Sequence, residues 1–91
     1  VVEHRANVGT SLNDMKKSGY VTEELTIGLA KEVGFILSAK SEINANSKDT
    51  KDHPSGVWTL PPTLYLKDTD RKKYIEIGET DRMTLLFKKP N

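Results

Sequence analysis

The chain has 91 residues, 14 basic and 13 acidic side chains and a net charge of +1 at neutral pH, so it makes at most one small domain and carries no broad basic field for nucleic acid or a membrane surface. It contains no cysteine, which excludes a disulfide framework, a thiolate zinc site and a thiol nucleophile, and leaves the compartment, cytoplasmic or periplasmic, unread. No apolar run approaches the roughly 20 residues of a membrane span, and a soluble chain is expected.

Val1 and Val2 are β-formers that give way to Glu3, His4 and Arg5, the pattern of a buried parallel strand reaching its carboxyl end. With no initiating methionine before them, they predict that an upstream portion of the protein precedes Val1. From Ala6 to Tyr20 the chain carries Gly9, Ser11, Asn13, Asp14 and Gly19, a loop composition with one helical turn around Leu12 to Lys17. Loops just past the carboxyl ends of parallel strands are where α/β proteins bind ligands. His4 offers a base that titrates near neutrality and Arg5 a fork for carboxylate or phosphate, although the same residues also make an ordinary solvated strand end.

Thr22 to Leu37 carries the clearest signal in the chain, an amphipathic helix turning directly into a buried strand. Thr22 is placed to cap the helix, Glu23 and Glu24 sit where its dipole favours negative charge, and Leu25, Leu29 and Val33 form one apolar stripe beside Ala30. Gly34 is placed to adopt the left-handed conformation that ends it. Phe35, Leu37 and Ala39 then alternate with Ile36, Ser38 and Lys40, so the period drops to two and a strand is expected over Phe35 to Ile43.

Asn44 to Pro62 dissolves into Asn, Ser, Lys, Asp, Thr, His, Pro and Gly, with Val57-Trp58 isolated near its end. Asp49, Asp52 and His53 offer metal-ligand atoms within five residues, but no thiol or second histidine is near and a solvated loop is the expectation. Trp58 beside Pro61-Pro62 reads either as a platform for a ligand or as a pin holding the loop. An extended Leu64-Tyr65-Leu66 precedes a short helix that Asp68 or Asp70 caps and Gly78 ends, with a strand over Tyr74 to Ile77 as the alternative. Asp68, Asp70 and Glu79 fail as a calcium loop because Lys72 and Lys73 stand at its ligand and glycine positions. Thr80-Asp81-Arg82 reads as a turn with an ion pair. Met83, Leu85 and Phe87 then alternate with Thr84, Leu86 and Lys88, a last strand over Arg82 to Lys88 closed by Pro90 and paired antiparallel with the strand after the helix. No phosphate-cradling glycine loop, nucleophile elbow or paired-carboxylate motif occurs, so catalysis by these residues alone is not expected.

Val1-Val2-Glu3-His4-Arg5-Ala6, Lys31-Glu32-Val33-Gly34-Phe35, Ser41-Glu42-Ile43-Asn44-Ala45-Asn46, Asp49-Thr50-Lys51-Asp52-His53-Pro54, Thr80-Asp81-Arg82-Met83 and Lys88-Lys89-Pro90 together resemble a bacterial group of predicted methyltransferases. The order of elements is similar to the last third of a class I S-adenosylmethionine-dependent methyltransferase, whose sheet ends in a reversed strand. The resemblance implies an α/β fold: the C-terminal part of a Rossmann-like sheet, one partial domain over residues 1–91, with 44–79 inserted between its last two strands. It also implies that Glu3, His4 and Arg5 face the ligand edge of the sheet and that the insertion, with Asn46 and Trp58, covers the substrate. The groups that hold S-adenosylmethionine would lie upstream of Val1, so none is expected here. The expected partners are that upstream portion, a small-molecule methyl acceptor and, for the isolated chain, copies of itself. A self-contained α+β interaction module is the alternative.

Overall fold

The computed structural model describes residues 1–89. In chain order it contains strand β1 (Val2–His4), helix α1 (Leu12–Ser18), helix α2 (Glu23–Glu32), strand β2 (Ile36–Ser41), a 3-10 turn (Gly56–Thr59), helix α3 (Arg71–Ile77) and strand β3 (Arg82–Lys88). The architecture is α+β, with three helices and one antiparallel sheet in the order β1-β3-β2. Because β1 and β2 are each antiparallel to β3, they point the same way, and α1 and α2 carry the chain from one to the other. No helix among the described residues is long and apolar enough to cross a membrane.

Local signals place the helices. Ser11 accepts from the Asp14 amide to open α1, and Gly19, at φ 80°, donates its N–H to the Met15 carbonyl to close it, so the expected single turn extends to seven residues. At α2 the Thr22 hydroxyl accepts from the Leu25 amide at 3.1 Å. Gly34, at φ 96°, ends that helix while the Gly34 and Phe35 amides donate to the Lys31 and Ala30 carbonyls. α3 answers the helix-or-strand alternative at Tyr74, whose ring is buried. Asp70 precedes α3 without a side-chain cap bond, and Gly78 ends it.

β3 spans the expected residues and is the spine of the sheet, with Met83 and Leu85 buried on one face and Leu86 exposed on the other. Tyr20, Leu60 and Tyr74 complete the core. The closing position expected at Pro90 lies outside the described residues.

Four expectations are corrected. Val1 and Val2 are 61% and 50% exposed, and β1 pairs antiparallel with β3 rather than lying in a parallel sheet. Its other edge carries one parallel bridge, Arg5 to Val21, so an apolar strand suited to cover on both faces has it on only one. β2, expected to be buried, is an edge strand exposed at every residue but Leu37, and it leaves too little sheet beneath α2 to cover the stripe, where Leu29 is 54% and Val33 72% exposed. β2 is shorter than Phe35 to Ile43 and bulges at Ser38, so Leu37 faces Phe87 whereas Ala39 faces Leu86 on the opposite side. Leu64 to Leu66 is a run of turns, with Leu64 at φ 46° and Lys67 at φ 55°.

Candidate functional site

The carboxyl end of β1, the loop after β2 and the turn before β3 meet at one point, where two carboxylates collect the side chains of Arg5, Lys51, Tyr20 and His53. Asp81 takes the Arg5 guanidinium on both oxygens, from Nε and Nη2 at 2.9 Å each. It also accepts from the Asn46 amide at 2.8 Å and pairs with Lys51 Nζ at 2.9 Å. The other side of the Arg5 fork donates to both oxygens of Glu42, at 3.1 and 2.7 Å, with Glu23 3.6 Å away. Burial alone would raise the Asp81 carboxyl, but the hydrogen bonds from Arg5, Lys51 and the Asn46 amide outweigh it and hold the group well below the usual carboxylate range.

Asp49 is the second collection point. Its Oδ2 accepts from the Tyr20 hydroxyl at 2.7 Å and the Asp81 amide at 2.9 Å, and its Oδ1 from the Lys51 amide at 3.0 Å and His53 Nε2 at 2.9 Å. Burial, followed by the hydrogen bond to Asp49, pushes the Tyr20 phenol above its ordinary range. The expectation of a solvated loop at Asp49 and His53 is therefore corrected: their side chains are 0% and 4% exposed. The physical reason is that Asp49 replaces water with four protein donors.

Two clefts open beside this network. One, of about 330 Å³, lies past the carboxyl end of β1 and is lined by Asn7, Thr10, Asp14, Lys17, Tyr20 and His53. The other, of about 840 Å³, is lined by Lys48, Thr50, Asp52, Lys73 and Glu76, and shares His53.

The sequence candidates divide accordingly. Arg5 reaches the strand end, but its donors are saturated by carboxylates, so it is a structural tie and not an open anion fork. His4 Nδ1 lies 2.6 Å from the Thr80 hydroxyl, and its ring meets Tyr20 edge-on. Glu3 accepts from the His4 amide at 3.0 Å. Asn46 donates to the Ile77 and Glu79 carbonyls, both at 2.7 Å, and clamps the end of α3 to the loop after β2. Trp58 stands apart, half exposed beside Tyr65 and Lys17. Its ring lies against Gly19, where an added Cβ would sit 3.2 Å away, so it pins the 3-10 turn to the end of α1. The residues missed from sequence are Asp81, Lys51 and Tyr20. Their one advance signal is the ion pair read into Thr80-Asp81-Arg82, whose main partners turn out to be Arg5 and Lys51 instead of Arg82. Compared with protein-family models, curated proteins and solved structures, the chain matches none of them.

Proposed function

We propose that this chain is the carboxy-terminal portion of a class I S-adenosylmethionine-dependent methyltransferase, supplying the sheet edge and part of the wall around the substrate. The observation that carries the reading is the path of the chain: two codirectional strands joined through α2, with a reversed last strand paired to both. The face of the sheet away from α2 adds support. Val2, Ile36 and Leu86 are 50%, 58% and 57% exposed on it, a surface suited to the upstream portion of a larger α/β protein. The cleft past β1 then falls on the ligand side of the sheet.

Asp81 and Asp49 are already saturated by Arg5, Lys51, Tyr20 and backbone amides, so the groups that hold the cofactor are expected elsewhere in the full-length protein, and no methyl-transfer step is drawn through this chain. Calorimetry with S-adenosylmethionine tests the reading on two proteins. The full-length gene product, whose upstream coding sequence is expected to hold a strand followed by a glycine-rich turn, binds at micromolar concentration, and this chain alone binds weakly or not at all. Micromolar binding by this chain, or a full-length product with neither the turn nor the affinity, overturns it. A self-contained interaction module is favoured by one observation, the closure of all three strand-end loops onto Asp81 and Asp49.

A further inference from the structure

His53 stands in the wall between the two clefts and is held there from two sides. Its Nε2 meets Asp49, and its ring meets Tyr74 edge-on at 5.8 Å and 83°. Asp49 cannot turn away, because its fully buried carboxylate is fixed by the Tyr20 hydroxyl and the amides of Asp81 and Lys51. A carboxylate only accepts, so Nε2 carries a proton, and in the neutral ring the lone pair is on Nδ1. Nδ1 makes no hydrogen bond to the described residues, among which the one buried side-chain nitrogen or oxygen without a partner is Arg82 Nε. His53 lines both clefts, and its side chain is 4% exposed, so what little of the ring is open is open beside them.

We propose that His53 is the proton acceptor of the cleft past β1, acting on a hydroxyl, thiol or amine of a small polar ligand held there. The ligand proton moves to Nδ1, the electron pair stays on the ligand heteroatom, and the imidazolium is balanced by Asp49. The proton later returns to solvent. The cleft is of the size that small ligands occupy, and Asn7, Thr10 and Tyr20 give it neutral polar walls. The other charged groups around His53 are Lys48, Lys51 and Asp52 on its own loop, Asp14 and Lys17 on α1, and Lys73 and Glu76 on α3. This inference stands without the methyltransferase reading, since it uses only groups of this chain.

The chain has two histidines, so imidazole nitrogen NMR on the 15N-histidine protein separates His53 from His4. At slightly alkaline pH His53 gives a single Nε2–H tautomer, which Asp49→Asn converts to a mixture. Diethyl pyrocarbonate, which reports a free imidazole lone pair, modifies His53 under conditions where the protein stays folded, more slowly than in urea because the side chain is 4% exposed. Thr10→Trp, which fills the cleft and leaves the Asp49 network intact, slows that reaction several-fold and leaves His4 unchanged. A histidine that merely holds the loop shows the fixed tautomer but stays inert to the reagent until unfolding, and that result overturns the proposal. So does an Nδ1–H tautomer, or modification that Thr10→Trp does not slow.

Discussion

Asp81→Asn is the most informative single change, because it keeps the shape of the side chain and removes the charge that three loops share. An asparagine keeps one oxygen for the Asn46 amide and Arg5 Nη2, and loses the oxygen that receives Arg5 Nε and Lys51 Nζ. Arg5 retains Glu42 and Glu23, so its loss is small. Lys51 is 14% exposed and has no other carboxylate partner among the described residues. Charge-assisted hydrogen bonds contribute about 1.5–3 kcal/mol each, which puts the combined loss at about 3 kcal/mol. A domain of this size shifts by roughly 4–8 °C per kcal/mol, so the midpoint falls by about 12–24 °C. Urea unfolding followed through Trp58, the single tryptophan, together with circular dichroism reads the change, with an unaltered m-value. The same variant tests the acid limb. A carboxyl held below its unfolded value stabilises the fold fully above about pH 4, and that contribution drains as pH falls further. Loss of less than about 1 kcal/mol, with the acid limb unchanged, would show that Asp81 is solvated in solution and refute the reasoning.

Tyr20→Phe removes one of the four donors to Asp49 and costs about 1–2 kcal/mol by urea unfolding. Because the Tyr20 phenol is raised in the folded state, its contribution is complete below about pH 10 and is lost as pH rises beyond that; the variant shows a flatter alkaline limb. Gly56→Ala would drive a Cβ into the Ser18 carbonyl oxygen, against backbone that cannot give way, and is expected to abolish folding or cost more than about 3 kcal/mol, whereas Gly9→Ala, with open space around it, costs only the roughly 1–2 kcal/mol of a left-handed alanine. Under the fragment reading the isolated chain associates through its uncovered apolar surface: light scattering over a concentration series shows a dimer or larger species, and Leu29→Lys weakens it if the half-exposed α2 stripe takes part. A strict monomer at high concentration supports the self-contained module.

The legible parts of this fold were those written in neighbouring residues. Thr22 and Gly34 bracket α2, and the alternation of Met83, Leu85 and Phe87 fixes β3, because caps and pleats are properties of a few adjacent positions. The bulge at Ser38 was hidden because Ala39 continues the alternation of Phe35 and Leu37, and only the pairing with Leu86 shows the slip. The network around Asp81 and Asp49 was hidden for a different reason. Aspartate, lysine and histidine in a Gly- and Pro-rich stretch look solvated until residues 76 positions apart, Arg5 and Asp81, are brought together. The exposed side of Val2 was misjudged because apolar content tells what a strand is suited to contact, not what is present to contact it.

The central place of β3 also sets the order in which the sheet can be made. β1 and β2 share no hydrogen-bonded ladder, and each has β3 as its partner. The amino terminus itself donates to the Leu85 carbonyl, a contact that spans 84 positions. Within these residues β1 has only the bridge from Arg5 to Val21 before β3 docks and β2 has no ladder at all, so most of the loop-closure entropy is met when β3 joins them. Formation of the sheet from these residues is therefore expected to be slow for their number, as where contacts are distant in sequence.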